Sequence, residues 1–241
     1  EGDYKATQLS PSSAWQTNLN TGDFSWTYDM PVPGVPGKLA PTVTLSYSSG
    51  AVDGRTANTN NQASWAGDGF SLWPGSIERS YKPCVDDGVK NADGTKPGDV
   101  CWAYDNATLS FNGHSGELIA TGADSFRIKG DDGTKVDRLR GTSRDNGDND
   151  QEYWRVTTTD GTRYYFGYNK LPGWSTGNRT TNSTWTVPVF GDDSGEPCHA
   201  SAFADSWCQQ AWRWNLDYAV DTHATPSPTT TTRKPTTTPG T

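Results

Sequence analysis

Hydrophobic and polar residues alternate with a period of two along most of this chain, and no stretch sustains a 3.6-residue helical period. Thr42–Tyr47 places Val43, Leu45 and Tyr47 on one face, which predicts a half-buried strand. Shorter strands are predicted around Phe24–Tyr28, Phe70–Trp73 and Ser76–Tyr81. Trp212–Tyr218 alternates Trp212, Trp214, Leu216 and Tyr218 with Arg213, Asn215 and Asp217, so the aromatic face is the expected core side of a last strand. Two further segments share one pattern. Phe126-Arg-Ile128 precedes Asp132-Gly133-Thr134, and Trp154-Arg-Val156 precedes Asp160-Gly161-Thr162, with the aromatic six residues before the Asp-Gly in each. Asp-Gly between alternating runs predicts hairpins, here with type I′ turns. Only Ala200–Gln210 suggests a helix, of one or two turns. The expectation is an all-β fold of antiparallel, hairpin-rich meander sheets with long loops.

Composition narrows this picture. The chain has 241 residues, with 12% aromatics, 11 Trp, 26 Gly and 15 Pro, so a core of large rings joined by many turns is expected. Residues 1–224 form the expected folded domain. Residues 225–241 carry nine Thr and four Pro and read as an O-glycosylated linker, which implies a further module beyond it. The formal charge of −8 and the lack of a basic stripe exclude nucleic acid as an expected partner. No apolar run reaches membrane-spanning length, so no membrane partner is expected either. The expected state is a monomer. Four cysteines allow three pairings, and Cys84–Cys101 with Cys198–Cys208 is expected because each closes a polar, turn-rich loop. A zinc site would need better ligand spacing than Cys198-His199 offers. Three glycosylation sequons begin at Asn106, Asn178 and Asn182. Together with the disulfides they point to an extracellular, secreted protein.

Gly37-Lys-Leu39-Ala-Pro41-Thr-Val43-Thr-Leu45-Ser-Tyr47 and Trp65-Ala-Gly67-Asp-Gly69-Phe70-Ser-Leu72 resemble the strand and turn that open bacterial RHS/YD-repeat proteins. The likeness continues through Leu171-Pro-Gly-Trp174 and Ser206-Trp-Cys208-Gln-Gln-Ala-Trp212 to Asp221. An RHS protein would run on into its repeats, whereas this chain turns into a Thr/Pro segment. A free-standing module on such a linker resembles fungal secreted muramidases of glycoside hydrolase family 184. That resemblance implies hydrolysis of the MurNAc–GlcNAc bond of bacterial peptidoglycan, without a cofactor.

Glycoside hydrolysis needs a proton-donating carboxylic acid and a second, ionised carboxylate across the scissile bond, in a cleft where sugar faces meet rings. Glu78, on a predicted strand, is the expected acid, and Asp68, between two glycines, the expected second carboxylate. Asp53, Trp65, Trp73, Arg213 and Asp217 are the expected substrate-binding residues. The structural alternatives are a surface ion pair for Glu78 and an ordinary turn cap for Asp68. The run from Arg144 to Glu152 is rich in oxygen ligands, so Asp145, Asp148, Asp150 and Glu152 are a candidate calcium set. EF-hand spacing is not met, and an acidic hairpin loop is the competing reading. A non-catalytic carbohydrate- or wall-binding module, built on an aromatic platform, is the alternative to an enzyme.

Overall fold

The computed structural model of the chain describes residues 15–17, 24–30, 43–49, 52, 66–72, 75–90, 93–111, 114–222 and 226–228. They fall into two compact units, one holding the described residues up to Leu72 and the other those from Gly75 onward. The first unit is a four-stranded antiparallel sheet in the order β1 (Trp15–Thr17), β2 (Phe24–Met30), β3 (Val43–Ser48), β4 (Phe70–Ser71). Trp26, Tyr47 and Phe70 lie abreast on it, with Tyr47 and Phe70 centroids 5.0 Å apart. Such cross-strand ring pairs hold short strands in register.

The second unit contains β5 (Ser76–Glu78), β6 (Lys82–Pro83), β7 (Val100–Cys101), β8 (Thr108–Phe111), β9 (His114–Ala120) and β10 (Ser125–Ile128). It continues with β11 (Lys135–Arg140), β12 (Glu152–Thr157), β13 (Arg163–Phe166), β14 (Thr184–Phe190), β15 (Trp207–Val220) and β16 (Pro226–Pro228). Strands β8 to β13 form a meander. Strand β15 then pairs with β5 on one side and β13 on the other, and so closes an eight-stranded antiparallel barrel. Closure removes the open edges that an antiparallel sheet would otherwise present. Alternation fills the interior with Ile77, Leu109, Phe111, Leu118, Phe126, Ile128, Val136, Trp154, Val156, Phe166, Trp214 and Leu216, all buried. Trp154 and Trp214 meet edge to face at 5.8 Å in its middle.

No α-helix occurs among the described residues, and none has a helix long and apolar enough to cross a membrane. The helix expected in Ala200–Gln210 is a 3₁₀ turn, Phe203–Asp205, followed directly by β15. Pairing of Trp207–Gln210 with Phe190–Val187 of β14 takes the backbone that a helix would need. Both disulfides pair locally, as expected: Cys84–Cys101 ties the residue after β6 to β7, and Cys198–Cys208 ties a loop to β15. Each closes a short loop and is worth ~3 kcal/mol by the loop-entropy argument. The first three residues after Thr225, Pro226–Pro228, pair with Tyr218–Val220. The rest of the Thr/Pro segment lies outside the described residues.

The two Asp-Gly hairpins, β10–β11 and β12–β13, are built alike, but not on type I′ turns. Neither Asp132 nor Asp160 enters the left-handed region, which is left to Gly133 (φ 83°) and Gly161 (φ 85°). Each Asp instead accepts a hydrogen bond two residues on, from the Thr134 N–H at 2.9 Å and the Thr162 N–H at 3.0 Å. The repeated Asp-Gly-Thr is therefore an Asx turn with a glycine exit.

Strand β15 departs most from its expected pattern. From Arg213 to Ala219 both faces are buried. A register shift leaves Asp217 as the extra residue of a bulge opposite Tyr165 and Phe166. Its carboxylate accepts from the Asn169 N–H (2.9 Å), Tyr168 N–H (3.3 Å), Thr181 hydroxyl (2.7 Å) and Ser183 hydroxyl (2.6 Å). The loop 167–183 is thereby bolted over the outer face. Gly167 starts that loop at φ 72°, and a Cβ there would collide with the Trp214 ring. Replacing Asp217 with Asn sets an amide N–H₂ against these donors. A loss of ~2–3 kcal/mol is expected, read as a lower urea midpoint at unchanged m-value.

Candidate functional site

Charged residues gather at one end of the barrel, directly on the aromatic core. Arg79, just after β5, binds Glu152 of β12 through both guanidinium nitrogens, Nη2 to Oε1 at 3.0 Å and Nη1 to Oε2 at 3.3 Å. Both side chains are 4% exposed. The Arg79 guanidinium lies 5.0 Å over Trp214 and 5.3 Å over Trp102, and Arg138 lies 5.2 Å over Phe126. Cations on ring faces are favourable where water is excluded. Arg138 also binds Asp105 at 2.7 Å and Asp124 at 3.1 Å. Arg140 then bridges Asp124, Nη1 to Oδ1 at 2.7 Å, and Asp150, Nε to Oδ2 at 2.6 Å.

Three guanidiniums thus face five carboxyls, the fifth being Asp148. Its Oδ1 accepts from the Ala211 N–H at 2.7 Å and its Oδ2 from the Glu152 N–H at 3.1 Å. Burial first, and the neighbouring Asp150 second, push Asp148 up to about 7. Burial acts upward on Asp150 too, but hydrogen bonds with Asp148 and Arg140 outweigh it and hold that carboxyl below the ordinary range. Asp124 is held low by Arg140 and Arg138. Glu152 is raised by burial against the pull of Arg79. The site therefore pairs a proton-holding dyad with an ionised carboxylate, and divergent environments of this kind divide acid from base. One guanidinium plus two hydrogen bonds separates Asp150 from Asp124.

The calcium cage considered for this loop is not formed. Asp145 binds Lys170 at 3.0 Å, Asp150 binds Arg140 and Glu152 binds Arg79, so the oxygens turn to cations of the chain itself. The grouping of Asp87, Cys101 and Asp192 is no better, because the Cys101 sulfur is in a disulfide.

Glu78 is exposed and forms an ion pair with Arg213, its register partner on β15. Arg213 is buried, donates to Asn215 at 2.9 Å and lies 5.3 Å over Trp185, and burial lowers it from its ordinary value. Asp68 is an exposed turn residue of the four-stranded unit. Asp53, Trp65 and Trp73 lie outside the described residues. The polar face expected of Arg213, Asn215 and Asp217 is covered, because loop 167–183 lies over the bulge; Asp217 has no exposed surface. Asn106 uses its amide to bridge the Ser80 N–H and C=O and the Tyr104 C=O at 2.8–2.9 Å. Asn178 and Asn182 are exposed on loop 167–183.

A second feature lies on the outer face of β12, β13 and β15. Tyr153, Tyr165, Tyr168 and Tyr218 form a contiguous group with centroids 5.0–5.7 Å apart. Arg144 lies 4.0 Å over Tyr168, and Lys170 lies 4.4 Å over Trp174 beside it. Arg163 and Lys135 occupy the next row, both abreast of Thr157. Among the described residues Lys135, Arg144 and Arg163 have no ion-pair partner, whereas the neighbouring Asp137 and Asp145 are paired with Arg155 and Lys170, so this face offers cations not taken up by an ion pair on a chain of net charge −8.

Sequence reasoning found the acidic run at Asp148–Glu152 but not Arg79, Asp124, Arg138 and Arg140 as its partners. Alternation along β11 and β12 places Arg138 and Arg140 beside Trp154 and Glu152, inward like the core, which was the available signal. No family model, curated protein or solved structure matches the chain.

Two outcomes follow from this end of the barrel. Arg79→Ala leaves Glu152 buried without a cation and is expected to cost about 3–5 kcal/mol in chemical denaturation. The pH dependence has a definite sign. Asp148, at about 7, and Asp217, raised to about 6 by burial, bind protons more tightly folded than unfolded. Their stabilisation is complete below the unfolded carboxylate value of about 3.9 and is lost as pH rises through 6–7. Asp124, Asp131, Asp160 and, at about 2, Asp132 act oppositely and lose theirs as pH falls below about 3.9. Calorimetry should therefore place maximum stability near pH 4, with a continuous fall up to about pH 7. The midpoint should drop by roughly 5 °C or more at pH 8, and by less in Asp148→Asn.

Proposed function

We propose that this chain is a secreted glycoside hydrolase, a muramidase that cuts the MurNAc–GlcNAc bond of bacterial peptidoglycan. The resemblance to fungal muramidases supplies the substrate. The observation that carries the chemistry is the bridge from Asp150 through Arg140 to Asp124, with Asp148 holding a proton near neutral pH. Asp148 holds the proton and is 7% exposed, whereas its hydrogen-bonded neighbour Asp150 is 40% exposed, so the proton reaches substrate by passing from Asp148 through the Asp150 carboxylate. That proton passes to the glycosidic oxygen as its bond to the anomeric carbon breaks. Asp124, half exposed and ionised, meets the positive charge that develops there, and water completes the cleavage. Tyr104, 64% exposed next to Asp105, offers a ring to a sugar face at the same end. Glu78 pairs with Arg213, outside the Arg140 bridge, so the proposed proton path does not use it.

Clearing of bacterial cell-wall suspensions from pH 4 to 8 tests this reading. The parent protein should clear them, best on the acid side. Asp124→Asn and Asp148→Asn should each lose on the order of 100-fold or more, while Glu78→Gln should keep most activity. New reducing ends, rather than new amino termini, mark a muramidase instead of an amidase. No clearing by the parent at any pH overturns the reading. The second reading, a non-catalytic carbohydrate-binding module, is favoured by the tyrosine face, which needs no carboxylate pair to hold a glycan.

A further inference from the structure

We infer that the outer face of β12, β13 and β15 is a binding surface for glycan strands that carry carboxylates, apart from the reacting end of the barrel. The inference deepens the carbohydrate reading above and rests on it. Tyr153, Tyr165 and Tyr168 are half-buried rings fixed by one another rather than by the core, so they stay in place without a ligand. With Tyr168 under Arg144 and stacked on Tyr218, a sugar stacking on Tyr153 or Tyr165 would find rings already ordered, which spares side-chain entropy on binding. Tyr218 forms the buried floor of the group.

The cations decide the class of glycan. Arg144 leans on Tyr168, and Arg163 and Lys135 stand on the row beside Tyr165, both exposed. Asp137 is nearby but is taken up by Arg155 at 2.8 Å. A chain with 28 acidic and 20 basic residues would repel a polyanion in general. Lys135, Arg144 and Arg163, which have no ion-pair partner among the described residues, therefore favour one orientation of approach, with this face toward the anionic polymer. An uncharged polymer of the same sugars would gain the stacking without the charge. The expected ligand is a carboxylate-bearing polysaccharide, with peptidoglycan strands as the example that the proposed activity requires.

Co-sedimentation of the full chain with purified peptidoglycan sacculi, and with chitin as the uncharged comparison, tests this. The parent should bind sacculi at least tenfold more tightly than chitin, and 0.5 M NaCl should remove most of that difference. Lys135→Gln with Arg163→Gln, both exposed, should weaken binding to sacculi at least fivefold without moving the melting temperature. Tyr168→Ala should weaken binding to both polymers. Measuring all variants again in the Asp148→Asn background keeps binding separate from cleavage. Sacculus binding that is unaffected by the charge variants and by salt overturns the inference, even if walls are cleared. Absent binding by the parent overturns it too. Face-dependent binding without clearing leaves this surface standing and removes only the hydrolase reading.

Discussion

The barrel depends on one buried ion pair. Arg79 and Glu152 lie at the end of an interior filled with rings, and both are almost wholly removed from water. Desolvating two charges is expensive, and a simple pair rarely recovers the cost. Here the guanidinium is bidentate on its carboxylate and sandwiched between Trp102 and Trp214, while the Trp214 N–H donates to the Glu152 backbone carbonyl at 2.9 Å. The pair is thus fixed by the core it covers. Around it Arg138 and Arg140 repeat the arrangement outward, each trading charge with the next acid, until the network reaches solvent at Asp124 and Asp150.

That graded exit from dry core to solvent gives the proposed chemistry its physical basis. Charge imbalance deep in the network is relieved by holding a proton at Asp148, and the same arginines keep the outer carboxylate ionised. In the proposed hydrolase the interior is structural and the outer end reactive, so one set of contacts serves both. The tyrosine face is independent of this network. It arises because β12 and β13 present rings outward as well as inward, which gives the barrel wall two aromatic surfaces.

Much of the fold was legible in the chain. The hairpins at Asp132-Gly133 and Asp160-Gly161, the β3 strand and both disulfides follow from local pattern and turn chemistry, where nearby residues decide the outcome. Strand β15 misled because alternation reports two faces but not what covers them. Loop 167–183 covers the polar one, and its anchor, Asp217, looked like a surface residue. The helix read into Ala200–Gln210 failed because pairing with β14 is a non-local choice. For the site, the acidic run around Asp148 was visible, but its arginines come from two separate segments, the position just after β5, and β11. Glu78 was placed correctly on a strand, yet its partner across the ladder, Arg213, could be known only from register.

Strand β15 has a consequence for how the molecule is made. It is the piece that joins β5 to β13, and it follows both in the chain by more than 40 residues. Until it emerges from the ribosome, the meander is an open sheet with two bare edges and an uncovered row of tryptophan and phenylalanine. Closure must wait for contacts of long sequence separation, which form slowly. In the interval the chain is exposed to edge-to-edge association. Synthesis rate and escort by folding factors, rather than final stability, should therefore govern how much of this protein a cell recovers.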